Sequence, residues 1–148
     1  MIGYVDMAMR LLIACVCGGL IGIEREMHHK DAGFRTNALV CLGSCLIMIV
    51  SLEVHHMFKN EGPADPGRIA AQVVSGIGFL GAGAIIRDSE GIRGLTTAAG
   101  VWVASGIGLA CGLGLYVPAL ICTIFTVFIL IVFVKVDRVL RDRNAPPV

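Results

Sequence analysis

Residues 72–97 read QVVSGIGFLGAGAIIRDSEGIRGLTT. The stretch is apolar and rich in small residues as far as Ile86, turns charged at Arg87, Asp88, Glu90 and Arg93, and is apolar again after Thr97. A helix carrying Ser75, Gly76, Gly78, Gly81, Ala82, Gly83 and Ala84 has little side-chain volume to shield its own backbone. In water each Gly costs a helix roughly 1 kcal/mol against Ala. In a bilayer the same residues let another helix approach closely, and association there depends on such packing. The stretch is therefore expected to form a central membrane helix followed by a short polar hairpin.

The rest of the composition agrees. The chain has 148 residues, of which 56% are hydrophobic and 16% charged, with a mean hydropathy of +0.83. A soluble domain has about 25% charged residues, so water is a poor solvent for this one. The length suits a single domain over residues 1–148. A net charge of +1 gives no reason to expect nucleic acid as a partner. Cys15, Cys17, Cys41, Cys45, Cys111 and Cys122 all lie in apolar runs, where Cys behaves as a small hydrophobe. Their spacing contains no Cys-x-x-Cys, so neither a disulfide framework nor a Cys-ligated zinc site is expected. Leu12-Ile13-Ala14-Cys15 resembles a lipoprotein cleavage box, but too few apolar residues separate it from Arg10. A retained first span is expected.

Five spans are expected, at about residues 7–23, 37–54, 69–86, 95–111 and 115–136. Small residues recur at helical spacing on three of them: Ala14, Gly18 and Gly22; Ala71, Ser75, Gly78 and Ala82; Gly100, Ala104 and Gly108. The first, third and fourth helices are accordingly expected to form the close-packed interior. The fifth is bulky around most of its circumference and should face lipid. With five spans, Arg25, Lys30, Arg35, Arg87, Arg93, Lys135, Arg138, Arg141 and Arg143 fall on one side. Lys59, Arg68 and Arg10 fall on the other. Positive charge gathers on the cytoplasmic side, so the N-terminus is expected outside and the C-terminus inside.

Two constellations could carry chemistry. Glu24, Arg25, Glu26, Arg35, Arg87, Asp88 and Arg93 gather at the cytoplasmic helix ends. Arg35 and Arg93 would oppose the helix dipole there. One of Glu24 and Glu26, which point about 200° apart on a helix, is expected to pair with Arg35 or Arg93, with Arg87 and Asp88 closing the cluster. Such a cluster could anchor the helix ends to lipid headgroups, or bind a cation, an anion or a partner protein. Inside the membrane, Gln72, Ser75 and Ser105 are the clearest polar groups, each able to hydrogen-bond across helices for roughly 0.6–2 kcal/mol. No Asp, Glu, Lys or Arg lies between Ile69 and Ile86 or between Leu95 and Val134, where ion-coupled pumps place ionisable groups.

Other patterns carry less. Gly76-Ile77-Gly78-Phe79-Leu80-Gly81 matches a dinucleotide fingerprint but lies inside an apolar span, not between strand and helix. His28-His29 and His55-His56 are adjacent pairs, which chelate poorly on a helix and read as surface loop. Asp88 and Glu90 could hold Mg²⁺ through water; no other cofactor is implied, and no catalytic arrangement stands out.

Gly22-Ile23-Glu24-Arg25-Glu26, Arg35-Thr36-Asn37-Ala38-Leu39-Val40, residues 72–83 and Arg93-Gly94-Leu95-Thr96-Thr97-Ala98-Ala99 together resemble the MgtC/SapB family of bacterial inner-membrane proteins. The resemblance covers about residues 7–136. It implies a small helical membrane domain, usually of five spans, and a link to survival in low magnesium, in acid or in host phagocytes. The best-known type acts on the membrane ATP synthase and does not itself carry Mg²⁺. Such members carry a further cytoplasmic domain after the fifth helix, whereas this sequence stops at Val148, so a short form is expected. Two functions follow as expectations: a non-enzymatic regulator acting by protein–protein contact, or a small transporter or channel with its path near Gln72, Ser75 and Ser105. Homo-oligomers are expected, because small-residue faces outnumber the partners one chain can supply.

Overall fold

The computed structural model describes residues 2–58, 60, 65–89 and 91–144, with the backbone alone for residues 135–144. Lys59, Glu90, Pro146, Pro147 and Val148, and the side chains of Lys135, Arg138, Arg141 and Arg143, lie outside the described residues. The elements in chain order are α1 (Tyr4–Met27), α2 (Phe34–Phe58), α3 (Gly67–Gly83), strands β1 (Ile86–Asp88) and β2 (Gly91–Arg93), α4 (Leu95–Gly112) and α5 (Tyr116–Asn144). The all-α architecture is as expected, and the polar connection after α3 is a two-stranded antiparallel hairpin.

α1, α2, α4 and the Tyr116–Val134 part of α5 are long and apolar enough to cross a membrane. α3 has 17 residues, a length of about 26 Å and the lower limit for a span. Contacts at its two ends show that it still runs the depth of the bundle. Ser51, late in α2, donates to the carbonyl of Pro66 just before α3. Gly81, near the end of α3, lies against Ala98 in the first turn of α4. The expected helix to Ile86 is corrected here: α3 stops at Gly83, and Ile86 begins a strand. The chain can turn back so abruptly because Gly94 adopts φ 88° with its Cα against the main chain of Ala84. An added Cβ would overlap the Ala84 carbonyl oxygen.

The interior is built by α1, α2 and α4, not by α1, α3 and α4. A Cβ on Gly18 would sit 2.5 Å from the Asn37 carbonyl oxygen, and one on Gly22 would sit 2.5 Å from Phe34 Cα. On α4, a Cβ on Gly108 would overlap the Cys41 carbonyl oxygen, and one on Gly112 would meet Met48 Cβ at 2.5 Å. Missing side chains thus bring α2 backbone-close to both neighbours. Ala14, Cys17, Ile21, Cys41, Cys45, Ala104, Ile107 and Cys111 fill the core between them. All six cysteines are free. α5 lays Ala119, Thr123 and Leu130 on this core and turns Ile121, Ile124, Phe125 and Phe128 outward, as its bulk suggests.

Of the small residues expected to pack, Gly18, Gly22, Ala104 and Gly108 do so. Gly78 and Gly100 do not: nothing lies within 4 Å of a Cβ added at either. Ala82 is exposed as well. α3 buries only Ala70 and Ile77, so its stripe of Ala71, Ser75, Gly78 and Ala82 faces away from the bundle. At the end opposite the hairpin, Arg10 donates to the Gly112 carbonyl at 2.6 Å and to Asp6 Oδ2 at 3.0 Å, and Tyr116 Oη donates to Asp6 Oδ1 at 3.3 Å. These bonds close α1, α4 and α5 together.

Gly108→Ala is expected to cost about 1–3 kcal/mol, because the added methyl forces α4 off the α2 backbone. Gly78→Ala should leave stability unchanged or slightly raised, since Ala is the better helix former. Unfolding of the detergent-solubilised variants measures both.

Candidate functional site

The last turn of α1 carries the charge. Glu24 and Arg25 are both buried, each side chain 5% exposed, and they face one another with Arg25 Nη1 3.7 Å from Glu24 Oε2. Arg25 Nη2 reaches across the bundle to donate to Thr97 Oγ1 at 3.3 Å. Thr97 is buried in the first turn of α4, where a cation opposes the helix dipole. The neighbouring carboxylate offsets that charge. Removing a buried charge's partner typically costs 3–5 kcal/mol, so each member of the pair holds the other in place.

The pair is not saturated. His28, one turn on, puts Nδ1 3.0 Å from Glu24 Oε1, but its hydrogen bond goes to the Glu24 main-chain oxygen at 2.9 Å. Among the described residues neither carboxylate oxygen of Glu24 accepts a hydrogen bond.

The remaining expected members are placed differently. Glu26 points outward, as the 200° separation from Glu24 requires, and its Oε2 accepts from the Phe34 amide at 3.0 Å, capping the start of α2. Arg93 bonds Asp88 within the hairpin. The expected pairing of Glu24 or Glu26 with Arg35 or Arg93 is therefore not made, and Asp88 takes Arg93 in place of Arg87. The reason is local: α1 supplies Glu24 with a cation one residue away, and the hairpin register puts Asp88 and Arg93 on one face. Arg35 and Arg87 are exposed. Among the described residues no group of three or more His, Cys, Asp or Glu could hold a metal ion.

Deeper in, Ser105 donates to the carbonyl of Trp102 at 2.7 Å and Thr123 to that of Ala119 at 2.8 Å, each within its own helix. Gln72 and Ser75 are exposed, so neither serves as the expected cross-helix glue. Gln72 lines an apolar cleft of about 640 Å³ between α2 and α3, with Leu39, Gly43, Ile47, Gly76 and Leu80.

Three residues at the charged end escaped the reading of the sequence. Asn37, 1% exposed, donates through Nδ2 to the carbonyls of Ala32 at 2.7 Å and Gly33 at 3.0 Å, folding the α1–α2 loop onto α2. Thr97 and His28 are the others. The i, i+4 spacing of Glu24 and His28 was the available signal for the last; nothing in the sequence marks Thr97 as the partner of Arg25.

The fold and site define a class: a multi-pass α-helical membrane protein with an ion pair sealed into one end of a glycine-packed bundle. The chain belongs to the MgtC family, whose model matches residues 11–139. It is 41% identical over 146 residues to the Escherichia coli K12 protein named "Putative magnesium transporter YhiD", an alignment covering 94% of this chain and 66% of that protein. It is 49% identical over 94 residues to protein MgtC of Salmonella typhimurium LT2, covering 64% of this chain and 38% of the relative. With protein MgtC of Brucella abortus the identity is 44% over 114 residues, covering 77% and 45%. The chain thus spans between 38% and 66% of the length of these relatives. No solved structure matches it.

Arg25→Met is expected to destabilise the protein by about 3–5 kcal/mol, leaving Glu24 charged and enclosed. Adding Glu24→Gln should recover most of that loss. Unfolding in mixed micelles of the two single variants and the double variant measures the coupling.

Proposed function

We propose that this chain is a membrane regulator without enzymatic activity, resident in the bacterial inner membrane and acting by protein–protein contact. Adaptation to low magnesium, acid or host stress is the setting that the resemblance to MgtC/SapB proteins implies. The contact is with a membrane complex such as the ATP synthase, or with a second copy of the chain in a homo-oligomer. We place the hairpin end in the cytoplasm, because Arg25, Arg35, Arg87 and Arg93 gather there.

The observation that carries this reading is the outward face of α3. Gly76 and Gly78 meet nothing among the described residues, yet each weakens the helix interior by roughly 1 kcal/mol against Ala. Residues that cost a helix stability and pack against nothing at home suit a helix supplied from outside. The sealed Glu24–Arg25 pair holds the first turn of α4 and, through it, the hairpin that joins α4 to α3.

A magnesium transporter is the second reading, favoured by the printed name of the Escherichia coli relative and by Gln72 in the α2–α3 cleft. Mg²⁺ needs six oxygen ligands, usually with carboxylates among them. The cleft offers one amide and Ser44 among apolar groups, which weighs for the regulator. Liposomes holding only this protein are expected to pass no more Mg²⁺ than empty ones. Ser75→Cys, in a background freed of native cysteines, should crosslink to itself or to a co-purifying membrane protein. Selective Mg²⁺ flux lost in Gln72→Leu would replace the regulator with the transporter.

A further inference from the structure

The hairpin between α3 and α4 is short, tethered and amphipathic in an unusual way. Its register pairs Ile86 with Arg93, Arg87 with Ile92 and Asp88 with Gly91. Residues directly opposite one another share a face of the ribbon. One face therefore carries Ile86 together with the bonded Arg93–Asp88 pair. The other carries Arg87 beside Ile92, with no acidic partner for Arg87 among the described residues. Ile86 is 53% exposed and Ile92 56%. Neither isoleucine is covered by the described residues.

The tethers limit where these side chains can be. Two residues, Ala84 and Ile85, join α3 to β1, and Gly94 alone joins β2 to α4. Ile86 lies three residues beyond Gly83, and Ile92 three residues before Leu95, so each is at most about 10 Å from a membrane helix. α3 is about 26 Å long against a hydrocarbon core of about 30 Å. With its other end at the opposite boundary, α3 stops about 4 Å short, and the two isoleucines reach at most about 6 Å past the boundary. The polar headgroup layer is roughly 5–7 Å deep on each side. The tethers thus let both isoleucines reach that layer. Within it, an apolar side chain dips toward the acyl chains while an arginine beside it turns to the phosphates. A guanidinium meets a phosphate through two parallel hydrogen bonds, which fits Arg87 next to Ile92.

We propose that Ile86 and Arg87 of β1 and Ile92 of β2 form a lipid-binding element. Ile86 and Ile92 sit at the acyl boundary, and Arg87 holds a phospholipid phosphate. The element steadies the hairpin end of α3, which buries only Ala70 and Ile77. It does not depend on the regulatory reading above, since a transporter would need the same anchor.

The test uses the full chain in liposomes of phosphatidylcholine and phosphatidylglycerol. Trp102, the one native tryptophan, is replaced in Trp102→Phe, and a reporter is placed by Ile92→Trp or, independently, by Ile86→Trp. The expected result at both positions is blue-shifted emission. Lipids brominated high on the acyl chain should quench it, and aqueous iodide should do so only weakly. Arg87→Gln in the Ile92→Trp background should reduce the lipid quenching. Red-shifted emission open to iodide would overturn the proposal, as would protection from both quenchers, which would mean that a protein surface covers the hairpin. Lipid quenching unchanged by Arg87→Gln would remove the phosphate contact.

Discussion

The closeness of α2 to both α1 and α4 is the constraint on which the rest of this structure depends. Gly18 and Gly22 on one side, and Gly108 and Gly112 on the other, let the α2 backbone lie where a methyl group would not fit. In a bilayer no hydrophobic force drives helices together, so van der Waals contact along bare backbone has to serve. Once the three helices are that close, the space between them is filled largely by Ala, Cys and Ile. The same approach brings the last turn of α1 beside the first turn of α4, and there Glu24 and Arg25 are shut away from water.

Much of this was legible in the sequence. Apolar runs and charged breaks gave the helices and their order, and Gly18 and Gly22 of α1 and Gly108 of α4 marked real contact surfaces. The role of α3 was not legible. Its stripe of Ala71, Ser75, Gly78 and Ala82 has the same spacing as those of α1 and α4, yet it faces outward while α2, with a weaker pattern, takes the centre. A periodic stripe says that a face can receive a helix; it does not say whether that helix is in the same chain. α2 needs few small residues of its own because the gaps are supplied by its neighbours.

The charged end was found as a neighbourhood but not as a set of bonds. Helix geometry correctly turned Glu26 away from Glu24. The partners then followed from distance along the chain: Arg25 and His28 lie within one turn of Glu24, and the hairpin supplies Asp88 to Arg93. Long-range expectations lost to short-range ones because a nearby partner costs less conformational entropy to hold. The contact from Arg25 to Thr97 joins residues with no local relation.

A bundle with one loosely held helix suits a protein that recognises others in the membrane, and it sets the central claim apart from a five-helix bundle packed evenly around α3. Carbene photolabelling from a reagent dissolved in the bilayer, read residue by residue, separates the two. The account expects label on Val74 and Phe79 of α3 and none on Cys41, Cys45 and Met48 of α2. Label on those three α2 residues, with α3 left dark, would contradict it.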